Sequence, residues 1–253
     1  MSSYKSFAVA GGLGGGKPGS ANIGNLIVKN LVKVPGVNVK VLARPESVSS
    51  SGTSSHDPDL TSSFQVNSPA AKELIKLGVT VVSVDYSDQA KVVDALKDSE
   101  VLISTLNTAA IAVQSALVDA VATGKTGVKL FVPSEFGNDT TKVKDEKNSL
   151  FAKRKVQLDL EEKKIPYAVF ITGPFADWVG SFAGYAMCIT SEPLTRKLTS
   201  RTAFRPDKDG KIRIVGSGDE KVSFTAINDA ARFVAHILTG KPVISRYTDT
   251  SDI

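Results

Sequence analysis

Strand-like and helix-like segments alternate along most of this chain, and that alternation restricts the fold more than any other feature. Short apolar runs rich in β-branched residues stand at 6–10 (SFAVA), 38–43 (NVKVLA), 79–85 (VTVVSVD), 101–106 (VLISTL), 128–132 (VKLFV) and 167–172 (YAVFIT). Segments with apolar residues at helical spacing lie near 22–33, 67–77, 88–97, 110–122 and 148–163. Repetition of strand then helix predicts a parallel sheet covered on both faces, the α/β doubly wound architecture. Such a sheet takes ligands at the carboxyl ends of its strands, where strand order reverses.

Two regions break the rhythm. Residues 46–63 are rich in Ser, Asp, Gly and Pro and read as a surface loop; His56 stands there with no Cys or His neighbour. From about 173 to 226 the chain is punctuated by Gly and Pro, with short strands expected at 211–215 and 221–225. The helical segment AINDAARFVAHIL follows, and its His236 reads as structural.

With 253 residues and 42% hydrophobic content the chain suits one sizeable domain with a small appendage. The net charge of +5 is spread among acidic residues, as in KVKDEK and LEEKK, with no aromatic-interleaved basic stripe, so no nucleic-acid partner is expected. No apolar run has membrane-spanning length and the first residues lack the pattern of a secretion signal, so neither a membrane nor export is expected. Cys188 is the only cysteine and reads as a small apolar group; with no internal disulfide possible, a cytoplasmic location is the expectation.

The loop after the first strand, AGGLGGGKPGSANIG, holds seven glycines in fifteen residues and nearly spells two phosphate-binding loops. An ATPase loop would need Ser or Thr after Lys17. Pro18 stands there instead and has neither a hydroxyl for magnesium nor an amide for phosphate. A dinucleotide loop needs glycines directly after the first strand and at the opening of a helix, which is this context. Gly11 and Gly14 open the pattern, and Gly24 stands as its displaced third glycine, seven residues late. The helix start at Asn22, Ile23 and Gly24 would present N–H groups and a positive dipole end to the pyrophosphate. At the end of the second strand, Arg44 matches a ribose 2′-phosphate and favours NADP, although Glu46 is close and an ordinary exposed arginine is the competing reading.

No G-x-S-x-G elbow, no H-E-x-x-H and no Tyr followed four residues later by Lys occurs, so a serine hydrolase, a zinc site and the common short-chain dehydrogenase pair are not supported and no metal is expected. A buried strand ends at VPSEFGND, and the helical segment FAKRKVQLDLEEKK follows. On a helical wheel Leu150, Val156 and Leu160 flank Lys153, whereas Lys155 points the other way among Phe151 and Leu158. A lysine within an apolar stripe reads either as a desolvated proton-transfer group or as a snorkelling side chain.

VPSEFGND with its following lysine helix, ISTL after the fourth strand and VSFTAINDAARFVAHIL together resemble the isoflavone reductase-like and NmrA-like group of atypical short-chain dehydrogenases. The resemblance implies a Rossmann-type NADP-binding domain over 1–172 and a small substrate-binding region over 173–253, with helix 227–238 packing back on the first domain. It implies NADPH-dependent reduction of a small aromatic or apolar molecule. Lys153 would be the catalytic proton donor or base, and would hold the nicotinamide ribose. Ser104, Thr105, Leu106, Pro133, Ser134 and Phe136 would line the cofactor. Pro174 and Phe175 would border nicotinamide and substrate, and Phe175, Trp178, Phe182 and Tyr185 would form an apolar substrate wall. The alternative, taken from the regulatory branch of the same group, is a non-catalytic redox sensor that binds the dinucleotide and acts through a protein partner. Two departures stand out: the glycine loop is longer than the group's pattern, and its members commonly run on beyond the point matching Ile253, so an open or shortened pocket is expected.

Overall fold

The computed structural model describes residues 4–13, 22–45, 68–107, 110–111, 113–148, 150–177 and 223–240. Among them β1 (Ser6–Ala10), β2 (Asn38–Ala43), β3 (Thr80–Ser83), β4 (Val101–Ser104) and β5 (Leu130–Val132) form one sheet in the order β3-β2-β1-β4-β5. Every neighbouring pair is parallel, with Val9 beside Val41 on one side and Ile103 on the other. The helices are α1 (Ile23–Leu31), α2 (Pro69–Lys76), α3 (Gln89–Leu96), α4 (Val113–Ala122), α5 (Phe151–Glu162) and α6 (Ile227–Thr239). This is the Rossmann-type doubly wound arrangement.

Side-chain alternation along the strands makes both faces apolar. Phe7, Val9, Val39, Val41, Val101, Ile103 and Val132 face α1, α2 and α6 in one buried cluster. Ala8, Ala10, Leu42, Leu102 and Phe131 face α3, α4 and α5 in the other. Short polar residues start several helices: Asn22, Ser68 and Asp88 each accept, through the side chain, the N–H three residues on, and Pro69 follows its cap at the first helical position. α6 packs along α1 and buries Ala230, Ala231, Val234, Ala235 and Leu238.

The expected sixth strand does not form. Tyr167 makes a single parallel bridge to Phe131, with the Phe131 N–H donating to Pro166 O and the Ala168 N–H to Phe131 O. The next rung of that ladder requires an N–H at position 133, and Pro133 has none. The chain then leaves the sheet, and the N–H groups of Thr172 and Gly173 both turn to Gly137 O. The pair of strands expected at 211–215 and 221–225 lies largely outside the described residues; Thr225 makes one parallel bridge, to Phe175. No helix among the described residues is long and apolar enough to cross a membrane.

Candidate active site

Strand order reverses between β1 and β4, so the crevice of this sheet opens beyond Ala10 and Ser104. Thr105 ties the two strand ends together: its N–H and its hydroxyl both donate to Ala10 O, at 2.8 and 3.0 Å. Gly11 turns away with φ +89°, the left-handed region that glycine adopts without strain, and a β-carbon there would lie 2.8 Å from Thr105 Oγ1. Gly24, in the first turn of α1, packs against the same hydroxyl so closely that a β-carbon would overlap it. The first turn of α1 therefore reaches the floor of the crevice because two glycines and one threonine interlock there. Asn22 caps it, accepting the Asn25 N–H at 3.1 Å.

A cleft of about 130 Å³ lies over this floor. Gly11, Leu13, Asn22, Thr105, Leu106 and Asn107 line one side, and Leu42, Ala43, Arg44 and Tyr86 another, with Ala110 and Val113 at its edge. Arg44 is exposed at the carboxyl end of β2. Tyr86, just beyond β3, donates to Leu42 O at 3.2 Å; burial pushes its phenol up, and the Arg44 charge opposes that rise.

The end of β5 is stitched to this cleft. Ser134 Oγ donates to Leu106 O at 2.7 Å, and the Ser134 N–H donates to Gln114 Oε1 at 2.9 Å. Among the described residues, Gln114 Nε2 and Ser104 Oγ are buried polar atoms with no hydrogen-bond partner. Beyond Ser134 the backbone turns sharply: the Glu135 N–H bonds Pro133 O, and Phe136 has φ +33°, an unusual value for a side-chain-bearing residue. The Phe136 ring stacks on Phe170 at 6.2 Å. Lys153, in the first turn of α5, is half-buried and places Nζ 2.6 Å from Glu135 O. Burial holds this ammonium below the ordinary lysine range, and the Glu135 charge works against that depression.

Gly11, Asn22, Arg44, Thr105 and Leu106 thus share one cleft, with Ile23 and Gly24 beneath it in α1, Ser104 at the adjoining strand end, and Ser134 and Lys153 attached through the end of β5. Pro133 ends β5, and the Phe136 side chain belongs to the core beside it. Phe175 departs from the expected wall: its side chain is buried in the cluster under α6. Its backbone explains this, because the Ala176 N–H bonds Thr225 O and the Thr225 N–H bonds Pro174 O, turning the segment inward beside α6. Gly14, Trp178, Phe182 and Tyr185 lie outside the described residues. Among the described residues no cluster of His, Cys, Asp or Glu could hold a metal ion.

Sequence reasoning missed Tyr86, Gly12 and Gln114. Tyr86 follows the carboxyl end of β3, and the rule applied to the other strands would have found it. Gly12 packs against Val9, Val28 and Val41, all within 3.2 Å of a β-carbon placed there, a contact that no motif announces.

Fold and cleft together define a Rossmann-type α/β protein with its site at the switch point of the sheet. The chain belongs to the NmrA-like family, whose model matches residues 18–245. It is 35% identical over 172 residues to the isoflavone reductase homolog IRL of Zea mays, covering 65% of this chain and 50% of that protein. It is 33% identical over 159 residues to the phenylcoumaran benzylic ether reductase IRL1 of Ginkgo biloba, covering 62% of this chain and 46% of that one. The chain spans about half the length of these relatives. Among solved structures it resembles one from a study of pinoresinol-lariciresinol and phenylcoumaran benzylic ether reductases, at TM-score 0.65 and 26% identity, covering 93% of this chain and 66% of that one. The fold is also that of AtPrR2 with NADP+ and (+)pinoresinol, at TM-score 0.66 and 23% identity over 95% of this chain and 67% of that one.

Proposed function

We propose that this protein binds NADPH in the switch-point cleft and reduces a small aromatic or apolar molecule, with Lys153 as proton donor. The observation that carries the reading is the placement of Lys153: a half-buried ammonium held on one main-chain oxygen, next to the Ser134 bridge that leads to the cleft. A sensor needs the dinucleotide site but has no use for a desolvated amine there, so this placement favours the reductase over the regulatory alternative.

The residues fit a dinucleotide. The left-handed turn at Gly11, the interlock of Gly24 with Thr105 and the capped start of α1 bring main-chain N–H groups to the crevice floor, where a pyrophosphate carries its charge. Arg44 offers a planar fork of donors at the cleft rim, suited to a 2′-phosphate. Tyr86 gives an aromatic wall on the same side. When bound, NADPH supplies the hydride. Lys153 supplies a proton to the substrate atom that gains negative charge, and its partial burial brings its acidity closer to the working range. Residues 173–253 would supply the substrate region. The relatives named as isoflavone and phenylcoumaran benzylic ether reductases support an aromatic substrate class.

The test is NADPH oxidation with a panel of aromatic ethers, enones and quinones, comparing the wild type with Lys153→Ala. The expected result is turnover with at least one member and a loss of about 10²–10⁴-fold in the variant. Equal rates in the two proteins would remove Lys153 from the chemistry. A wild type that binds NADPH, turns over nothing and gains or loses a protein partner with the cofactor would establish the sensor.

A further inference from the structure

Glu135, Thr140 and Gln157 are each 1% exposed and form a closed hydrogen-bond cluster directly behind Lys153. Gln157 Nε2 donates to Glu135 Oε1 and to Thr140 Oγ1, both at 2.8 Å, and Thr140 Oγ1 donates to Glu135 Oε2 at 3.2 Å. The remaining amide oxygen of Gln157 accepts from Arg154 Nη1 at 3.1 Å. Each polar atom of Gln157 is therefore used, and through its amide Arg154 is linked to the buried carboxylate.

The arrangement around Glu135 is two-sided. Lys153 and Gln157 stand four residues apart on one face of α5. Lys153 takes the main-chain oxygen of Glu135, and Gln157 takes its carboxylate. That oxygen belongs to the peptide between Glu135 and Phe136, whose orientation turns with the φ of Phe136. At φ +33° the peptide is held in a sparsely populated orientation. Two things secure it: the Phe136–Phe170 ring stack on one side and the Gln157–Glu135–Thr140 cluster on the other.

We propose that Glu135, Gln157 and Thr140 are positioning residues for Lys153: they fix the peptide whose oxygen holds one N–H of the ammonium, and so aim the remaining donors at substrate. This rests on the reductase reading and deepens it. The carboxylate also sets the charge environment of the amine. Among the described residues, Arg154 on α5 joins the cluster through Gln157 and also pairs with Glu161, Lys155 pairs with Asp159, and from α4 Asp119 pairs with Lys163.

The experiment uses the full chain labelled with ¹⁵N and ¹³C at lysine, and follows the Lys153 amine by NMR titration without cofactor or substrate. Glu135→Gln keeps the shape and removes the charge. Its Lys153 midpoint is expected to fall by about one pH unit, with the basic limb of turnover falling in step and NADPH affinity within about twofold of the wild type. Gln157→Met is expected to lower kcat about tenfold at unchanged KM for NADPH. If Glu135→Gln does not fold, Thr140→Val replaces it: it removes the hydroxyl that donates to Glu135 and accepts from Gln157, and Thr140→Ser should restore wild-type kcat. An unmoved Lys153 midpoint in folded Glu135→Gln, or turnover that falls only in proportion to Tm, would overturn the proposal. Absence of turnover in the wild type would count against the reductase reading instead, while the amine titration still decides whether the cluster governs Lys153.

Discussion

Gly24 and Thr105 meet with no room for a β-carbon between them, and the same threonine hydroxyl is bonded to Ala10 O at the end of β1. One contact thus sets how near the start of α1 comes to the strand ends on either side of the crevice. Gly24→Ala must push α1 outward or break the Thr105 bond. The expected cost is about 1–3 kcal/mol of stability with a clear loss of NADPH affinity. Removing the obstacle with Thr105→Ala in the same chain should recover part of both, so a double-mutant cycle read by chemical denaturation and cofactor titration checks the contact directly.

Arg44 governs the choice of cofactor in the proposed function. Arg44→Ala should weaken NADPH binding by about 1.5–3 kcal/mol, the range of a charge-assisted hydrogen bond, and leave NADH binding nearly unchanged. Tyr86→Phe keeps the ring but loses the bond to Leu42 O, and should affect both cofactors alike. Parallel titrations of NADPH and NADH on the two variants separate the phosphate contact from the wall. Loss of affinity for both cofactors in Arg44→Ala would contradict the assignment.

Much of this was legible in the chain, and the exceptions have physical reasons. The five strands announce themselves because a parallel sheet buried on both faces needs continuous β-branched runs. Lys153 was visible as a charge in an apolar stripe. The expected strand at 167–172 failed because its ladder depends on Pro133, thirty-four residues upstream, a partner that the segment itself does not reveal. Phe175 looked like a ligand wall from its place in a motif, yet its orientation follows from bonds to Thr225. Glu135 stands in the VPSEFGND stretch and Gln157 in the lysine helix that follows it, but their partnership could not be read from either, since only tertiary packing brings a helix face against a strand end. The displaced third glycine could be recognised by spacing, but its partner Thr105 could not.

The burial of Lys153 fixes the direction of a pH dependence. As proton donor the amine must be protonated, so activity is lost as pH rises through its folded value. Desolvation places that value below 10.5, and Glu135 only partly opposes the shift. The basic limb of kcat should therefore fall below the ordinary lysine value, and no such limb should remain in Lys153→Met. A profile flat up to the ordinary lysine range would show that the amine does not limit turnover.

Stability at acid pH should depend on Glu100, at the opposite, amino-terminal end of the strands. Its carboxylate accepts from Lys129 Nζ at 2.8 Å and from the main-chain N–H groups of Lys5 at 2.9 Å and Ser6 at 3.3 Å, joining the amino ends of β1, β4 and β5. The Lys129 bond first, and then the Lys5 amide, pull Glu100 down from 4.5 to about 2. The folded value lies below the unfolded one, so the stabilisation is complete above about pH 4.5 and is lost as pH falls towards 2. Because the side chain of Glu100 is 29% exposed and that of Lys129 64%, solvent screening leaves a contribution of about 1–2 kcal/mol. Glu100→Gln should lower stability by that amount at pH 7 and by almost nothing at pH 2. Lys129→Met should cost less at pH 7, because the two main-chain donors remain. Urea denaturation of the three proteins at both pH values measures the difference, and an equal gap between wild type and Glu100→Gln at pH 7 and pH 2 would exclude this carboxylate as the acid-sensitive clasp.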